Sequence, residues 1–193
     1  TDVTLSRYNL SGRALWDLEM LLVGGFAPLT GFMTQREYES VRDTMRMPDG
    51  TLWPMPIVLD VGDDFTHSVG DKIVLCDPYG YPLAQMTIED VYEPDKVAEA
   101  RAVYGTEDTA HFGVRHLFDE LGSRYVGGRV VALSSMRYPD FAQLRHTPEE
   151  LKAYFCEQGI ERVVAFQTRN PMHRAHVEIV REAAREHKAH PLI

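Results

Sequence analysis

The chemistry-bearing side chains of this 193-residue chain concentrate in one run, Gln167-Thr168-Arg169-Asn170-Pro171-Met172-His173-Arg174-Ala175-His176. It supplies two amides, a hydroxyl, two guanidiniums and two imidazoles within ten positions. These are the donors needed to hold two polyanions against each other. The planar fork of Arg169 can bind two anionic oxygens at once. His173 and His176 are three apart, so both fall on one face of a first helical turn. The run contains no plausible pair of nucleophile and base. Plainer readings exist for each residue. Asn170 could cap a helix, Arg169 could pair with a surface carboxylate, and the two histidines could bind zinc. Two histidines without further Cys, His or carboxylate spacing carry little weight as a metal site, and none is assigned. The position of the run favours the anion reading, because all its polar groups fall between a strand and a helix.

Those flanking elements are legible. Arg162–Phe166 reads as a short buried strand and 172–188 as a helix, with an apolar face at Met172, Ala175, Ile179, Ala183 and Ala184. Ligands of open α/β sheets bind outside the carboxyl ends of strands, where a following helix offers free N–H groups and a positive dipole end. Upstream, Thr147-Pro148-Glu149-Glu150 is a capping box with proline at the first helical position. That helix should end near Gln158, with Gly159 beyond it, and His190–Ile193 begins another extended segment. Helix, strand, helix, strand implies parallel strands joined by crossover helices. Two strands cannot make such a sheet stable, so residues 141–193 read as the opening of a second domain.

Residues 1–140 have a different texture. Ser11 should cap a helix to about Val23, with Leu15, Leu18 and Leu22 inward and Gly24-Gly25 as its stop. Thr34-Gln35-Arg36-Glu37 is a second capping box, opening a helix to about Met45. An extended run with Pro54 and Pro56 spans Leu52 to Val61 and suits a sheet edge. Strands are expected at 72–76, 81–92 and 129–134, and helices at 96–104 and, interrupted by Gly113, at 111–121. Several tight turns among them suggest a small α+β or barrel-like domain. Trp16 and Trp53 read as core, and the other histidines as surface or packing residues.

Charge divides the chain the same way. Residues 1–140 carry 12 basic and 22 acidic side chains, whereas 141–193 carry 8 and 7 together with five of the eight histidines. Anion handling therefore belongs in the last segment. The overall charge of −9 argues against nucleic-acid binding, which needs clustered Lys and Arg. The longest nearly apolar stretch, Met20 to Leu29, is too short and too broken by Gly24, Gly25 and Pro28 to span a bilayer. Cys76 and Cys156 stand alone, which suits a reduced, cytoplasmic setting.

The run Gln167–His176 resembles the signature of the ATP sulfurylase (sulfate adenylyltransferase) family. Gly24-Gly25-Phe26-Ala27-Pro28-Leu29-Thr30-Gly31-Phe32, Asp49 to Ile57, Asp90-Val91-Tyr92 and Tyr125-Val126-Gly127-Gly128 resemble that family as well. The resemblance implies an α+β PUA-like domain with a barrel-like sheet over residues 1–140, followed at 141–193 by the start of an α/β Rossmann-like nucleotidyltransferase domain. It also implies transfer of the adenylyl group of ATP to sulfate, giving adenosine 5′-phosphosulfate and pyrophosphate, or the reverse reaction. On the same ground Thr168, Arg169 and Asn170 are the catalytic positions. Gln167 to Asn170 with His173 and His176 bind ATP, and Gln167 and Arg169 bind sulfate. Mg²⁺ would arrive on the ATP phosphates, and the protein would be a cytoplasmic homo-oligomer. The competing readings are another nucleotidyltransferase with a His-x-x-His pair and a non-catalytic binding module.

Overall fold

A computed structural model describes residues 5–134 and 140–193. They fall into two compact units, Thr1–Pro139 and Asp140–Ile193. The expected boundary at 140/141 follows directly on 135–139, which lie outside the described residues.

The first unit is a six-stranded mixed sheet with helices. Its strands are β1 (Ser6–Asn9), β2 (Gly31–Phe32), β3 (Leu59–Val61), β4 (Lys72–Cys76), β5 (Pro82–Tyr92) and β6 (Arg124–Ala132). They run in the order β1-β4-β5-β6-β2, with β3 also on β6. β1 lies parallel to β4 and the other pairs are antiparallel. Among the described residues β1 and β2 end the path and do not pair with each other, so the sheet is not closed and the expected barrel-like form is not seen. The turn Asp77–Gly80 joins β4 to β5 as expected. The Asp77 carboxylate accepts the N–H groups of Tyr79 and Tyr81.

Helix α1 (Gly12–Leu22) buries Ala14, Leu18 and Leu21. Leu15 and Leu22 lie at the margin of that face rather than at its centre. Trp16 is 60% exposed, against the expectation of a core residue, because it points away from Leu18 on the same helix. Trp53 does pack against the core, edge to face with Phe26. Helix α2 (Gln35–Thr44) starts at the expected capping box, where the Thr34 N–H and hydroxyl both donate to Glu37 Oε2 at 2.9 and 2.8 Å. Such a cap contributes about 1 kcal/mol. Of the extended run 52–61 only β3 joins the sheet, since Pro54 and Pro56 lack ladder donors. The core proper is formed by inward side chains of the central strands, including Ile73, Leu75, Met86 and Ile88, each at most 1% exposed. Burying each contributes about 1.5–3 kcal/mol.

Between β5 and β6 the chain makes α3 (Lys96–Glu99), a π-helical turn (Ala100–Tyr104) and α4 (Phe112–Asp119). Gly105, at φ 70°, ends the helical stretch 96–104 after its π-helical turn, as expected. Gly113 is absorbed into α4 without a break. The imidazole Nδ1 of His111 caps that helix by accepting from Gly113 N.

The second unit holds α5 (Pro148–Glu157), β7 (Val163–Ala165), α6 (Arg174–His187) and β8 (His190–Leu192). The α5 capping box forms as expected. Thr147 N donates to Glu150 Oε2 at 2.8 Å, and Glu150 N donates to Thr147 Oγ1 at 3.2 Å. β7 and β8 are parallel, with Val163, Val164 and Ala165 opposite His190, Pro191 and Leu192. With α6 between them they form the expected crossover from strand through helix to parallel strand. β7 is not the buried strand expected, since Val163 is 36% exposed. A two-stranded sheet with one crossover helix has too little surface to cover both of its faces. Val180 is the one fully buried side chain of this unit among the described residues, and Ile179 beside it is 60% exposed. The inward face of α6 therefore runs through Val177, Val180 and Ala184, one position away from the predicted stripe at Ile179.

Candidate active site

The polar run occupies the loop between β7 and α6. Phe166 N donates to Leu192 O at 2.8 Å, which extends the β7–β8 pairing by one bond and fixes where the loop begins. From there Gln167, Arg169 and Asn170 are exposed, and Thr168 is half-buried. Thr168 holds the loop together. Its hydroxyl donates to Asn170 O at 3.0 Å and lies 3.1 Å from Asn170 N, which donates to it. This local turn leaves the Asn170 side chain outside the helix, so Asn170 is not its cap. Arg169 has no ion pair or hydrogen bond among the described residues, so the surface-carboxylate reading has no partner to rest on.

The helix begins two residues later than expected, at Arg174, with His173 as its N-cap in extended conformation. Pro171 upstream accounts for the delay, because it biases Asn170 away from helical angles. The His173 side chain does not bond the first-turn N–H groups. Those groups and the positive end of the helix dipole therefore remain available to an anion.

The two histidines do come together. Their ring centroids are 3.8 Å apart at an interplanar angle of 30°. Phe166 sits on the other flank of His176 at 5.5 Å. His176 Nδ1 is buried and has no hydrogen-bond partner among the described residues. Phe166 was not singled out from the sequence, although its place immediately before Gln167 is the signal that could have found it. The arrangement thus combines a close, tilted imidazole pair at a helix N-terminus with an exposed loop of amide, hydroxyl and guanidinium donors. A concavity of about 550 Å³ in the first unit, along α2, holds Arg36, Glu39, Asp43 and Asp90 and none of these residues.

Among the described residues no group of three or more His, Cys, Asp or Glu is placed to hold a metal ion. The purified protein is expected to contain no stoichiometric zinc at His173 and His176, and chelation should leave its thermal unfolding unchanged. Metal analysis checks this, and tightly bound zinc that disappears in His173→Ala would contradict it.

Comparison with known proteins separates the two units. The family described as PUA-like domain matches residues 2–135, and the family described as ATP-sulfurylase matches residues 142–193. Sulfate adenylyltransferase of Gibberella zeae is 47% identical over 98% of this chain and 34% of its own length. The proteins of that name from Schizosaccharomyces pombe and Saccharomyces cerevisiae are 43% and 44% identical, over 98% and 96% of this chain. The chain spans 40% and 37% of those two. A solved structure described as a hexameric APS kinase from Thiobacillus denitrificans superimposes with a TM-score of 0.74 at 32% identity, over 98% of this chain and 34% of that one. The chain belongs to the PUA-like domain family, which its first unit represents. Its second unit carries the ATP-sulfurylase segment, so the resemblance drawn from Gln167–His176 holds. The chain spans about a third of the length of the curated relatives it matches.

Proposed function

We propose that the native protein transfers the adenylyl group of ATP to sulfate. The observation that carries this is the loop 167–173, where anion donors without a nucleophile–base pair meet an uncapped helix N-terminus beside two closely packed imidazoles. Sulfate can be its own nucleophile. One of its oxygens bonds to the α-phosphorus, the bond from that phosphorus to the bridging oxygen breaks, and pyrophosphate leaves with that electron pair. The products are adenosine 5′-phosphosulfate and pyrophosphate. The protein then needs only to position two anions and to stabilise charge as it moves.

In this reading Arg169 bridges sulfate and the α-phosphate with its fork, and Gln167 orients sulfate by its amide. Thr168, Arg169 and Asn170 surround the transferring phosphoryl group. His173 and His176 steady the α- and β-phosphates and the departing pyrophosphate. Their place at the head of α6 lets the helix dipole add to the same charge. Mg²⁺ enters as part of the nucleotide substrate, held by phosphate oxygens and water. The β7–α6–β8 crossover would open a Rossmann-like sheet continued by further strands, and the assembly would be a homo-oligomer. The hexameric description of the similar solved structure supports the last point. No helix among the described residues is long and apolar enough to cross a membrane.

The decisive experiment is ATP–pyrophosphate exchange by the native full-length protein with and without sulfate. Exchange that requires sulfate is expected. Exchange that instead requires a phosphorylated metabolite would move the protein to another class of nucleotidyltransferase.

A further inference from the structure

The insertion between β5 and β6 has a small core of its own, Ala100, Val114 and Leu117, distinct from that of the sheet. Leu121 packs against both. What bolts the insertion to the sheet is polar. Glu99, the last residue of α3, is 6% exposed. Its Oε2 accepts the hydroxyl of Tyr38 from α2 at 2.8 Å and that of Tyr125 from β6 at 3.1 Å. Tyr92 of β5 completes a triangle of rings with centroids 5.6, 5.6 and 5.8 Å apart. The charged groups facing this cluster are Lys96 from α3, Arg13 from α1, Asp60 from β3, Arg42 and Glu37 from α2 and Asp90 from β5. Lys96 is committed elsewhere, its Nζ donating to Leu121 O at 2.8 Å. Among the described residues no cation forms an ion pair with Glu99. The π-helical turn starts at the next residue, and such segments recur at functional sites.

We propose that the insertion spanning residues 96–119 is a proton-linked flap, docked most firmly when the Glu99 carboxyl is protonated and opening more readily once it is ionised. Burial outweighs the two phenol donors and holds this carboxyl above the usual carboxylate range. Opening hydrates it and restores the ordinary value. The closed state therefore binds the proton more tightly than the open one. Its advantage is complete below the ordinary glutamate value and is lost as pH rises through the raised, closed-state value.

Amide hydrogen exchange of residues 96–119 in the whole chain, corrected for intrinsic chemistry between pH 5 and pH 8, tests this. The opening equilibrium should rise several-fold with pH, with a ceiling of about tenfold per pH unit for one proton. His111, which caps α4, and His116, which faces Glu120 at 2.8 Å, lie on the same insertion. The reading is therefore the difference between the native chain and Glu99→Gln, whose neutral amide still accepts from both tyrosines. That variant should lose the Glu99 part of the slope, and a slope equal to the native one overturns the proposal. Should Glu99→Gln fail to fold, Tyr125→Phe serves instead. It removes a donor that favours the ionised form, so the native slope should steepen. An unchanged slope there also overturns the flap.

Discussion

Replacing Arg169 with Ala in the native full-length protein is expected to lower sulfate-dependent turnover by a few hundredfold, about 3–4 kcal/mol of transition-state stabilisation. The fold should be untouched, because Arg169 is exposed and makes no ion pair among the described residues. A long cation in the loop before α6, with no partner among the described residues, has its charge free for a substrate. Arg169→Lys keeps the charge but loses the planar fork, and one point donor cannot bridge oxygens of two anions. It should recover little of the loss. Steady-state pyrophosphate exchange, with thermal unfolding measured alongside, separates the two effects. Activity within a few-fold of native in Arg169→Lys would show that the residue acts as a charge alone, and near-native activity in Arg169→Ala would remove it from the site.

Local chemistry made much of this protein readable. Both capping boxes form where Thr34 and Thr147 place them, because each is closed by residues three apart and needs no tertiary help. The strands β4 and β5 fall where alternation and the Asp77–Gly80 turn put them. The failures share a different cause. β1 and β2 were not anticipated, being only four and two residues long and defined by pairing with distant strands. β6 begins at Arg124, five residues before its expected start, because Gly127 and Gly128 hide a strand from propensity. That the barrel-like sheet would stay open was hidden for the same reason, since closure depends on which edges meet.

The candidate site was legible as a list of residues but not as a shape. Donor types and their position between strand and helix follow from sequence order. That Thr168 would fold back on Asn170, and that His173 would be the cap and not the first helical residue, depends on Pro171 and on loop angles. Periodicity cannot see these. The role of Glu99 was equally hidden, because its partners Tyr38 and Tyr125 lie 61 and 26 residues away.

Gly128→Ala is expected to destabilise the first unit by about 4 kcal/mol or more, at the far end of what single substitutions do. In the Tyr125-Val126-Gly127-Gly128 run two glycines sit in the middle of a central strand, where they would ordinarily weaken it. The packing explains them. A β-carbon on Gly128 would lie 2.1 Å from Thr87 O on β5, at a backbone φ of 154°. One on Gly127 would lie 2.5 Å from Met33 O, and one on Gly31 2.0 Å from Gly128 O. Each obstacle is backbone, so no side chain can swing aside. The glycines also lie opposite an irregularity in β5, where the register shifts between Ile88 and Asp90. The three strands β2, β5 and β6 thus approach closely through positions that carry no β-carbon, and Met33 enters the core directly beside them. Gly31→Ala should be comparably damaging, as its β-carbon would be driven into the backbone of β6 at Gly128. Gly50→Ala is the control. It has a positive φ of 89° but open space around it, so it should cost only about 1–2 kcal/mol of backbone strain. Chemical denaturation of the three variants orders these costs. If Gly128→Ala lost no more stability than Gly50→Ala, the close approach of the strands would not be what these glycines provide.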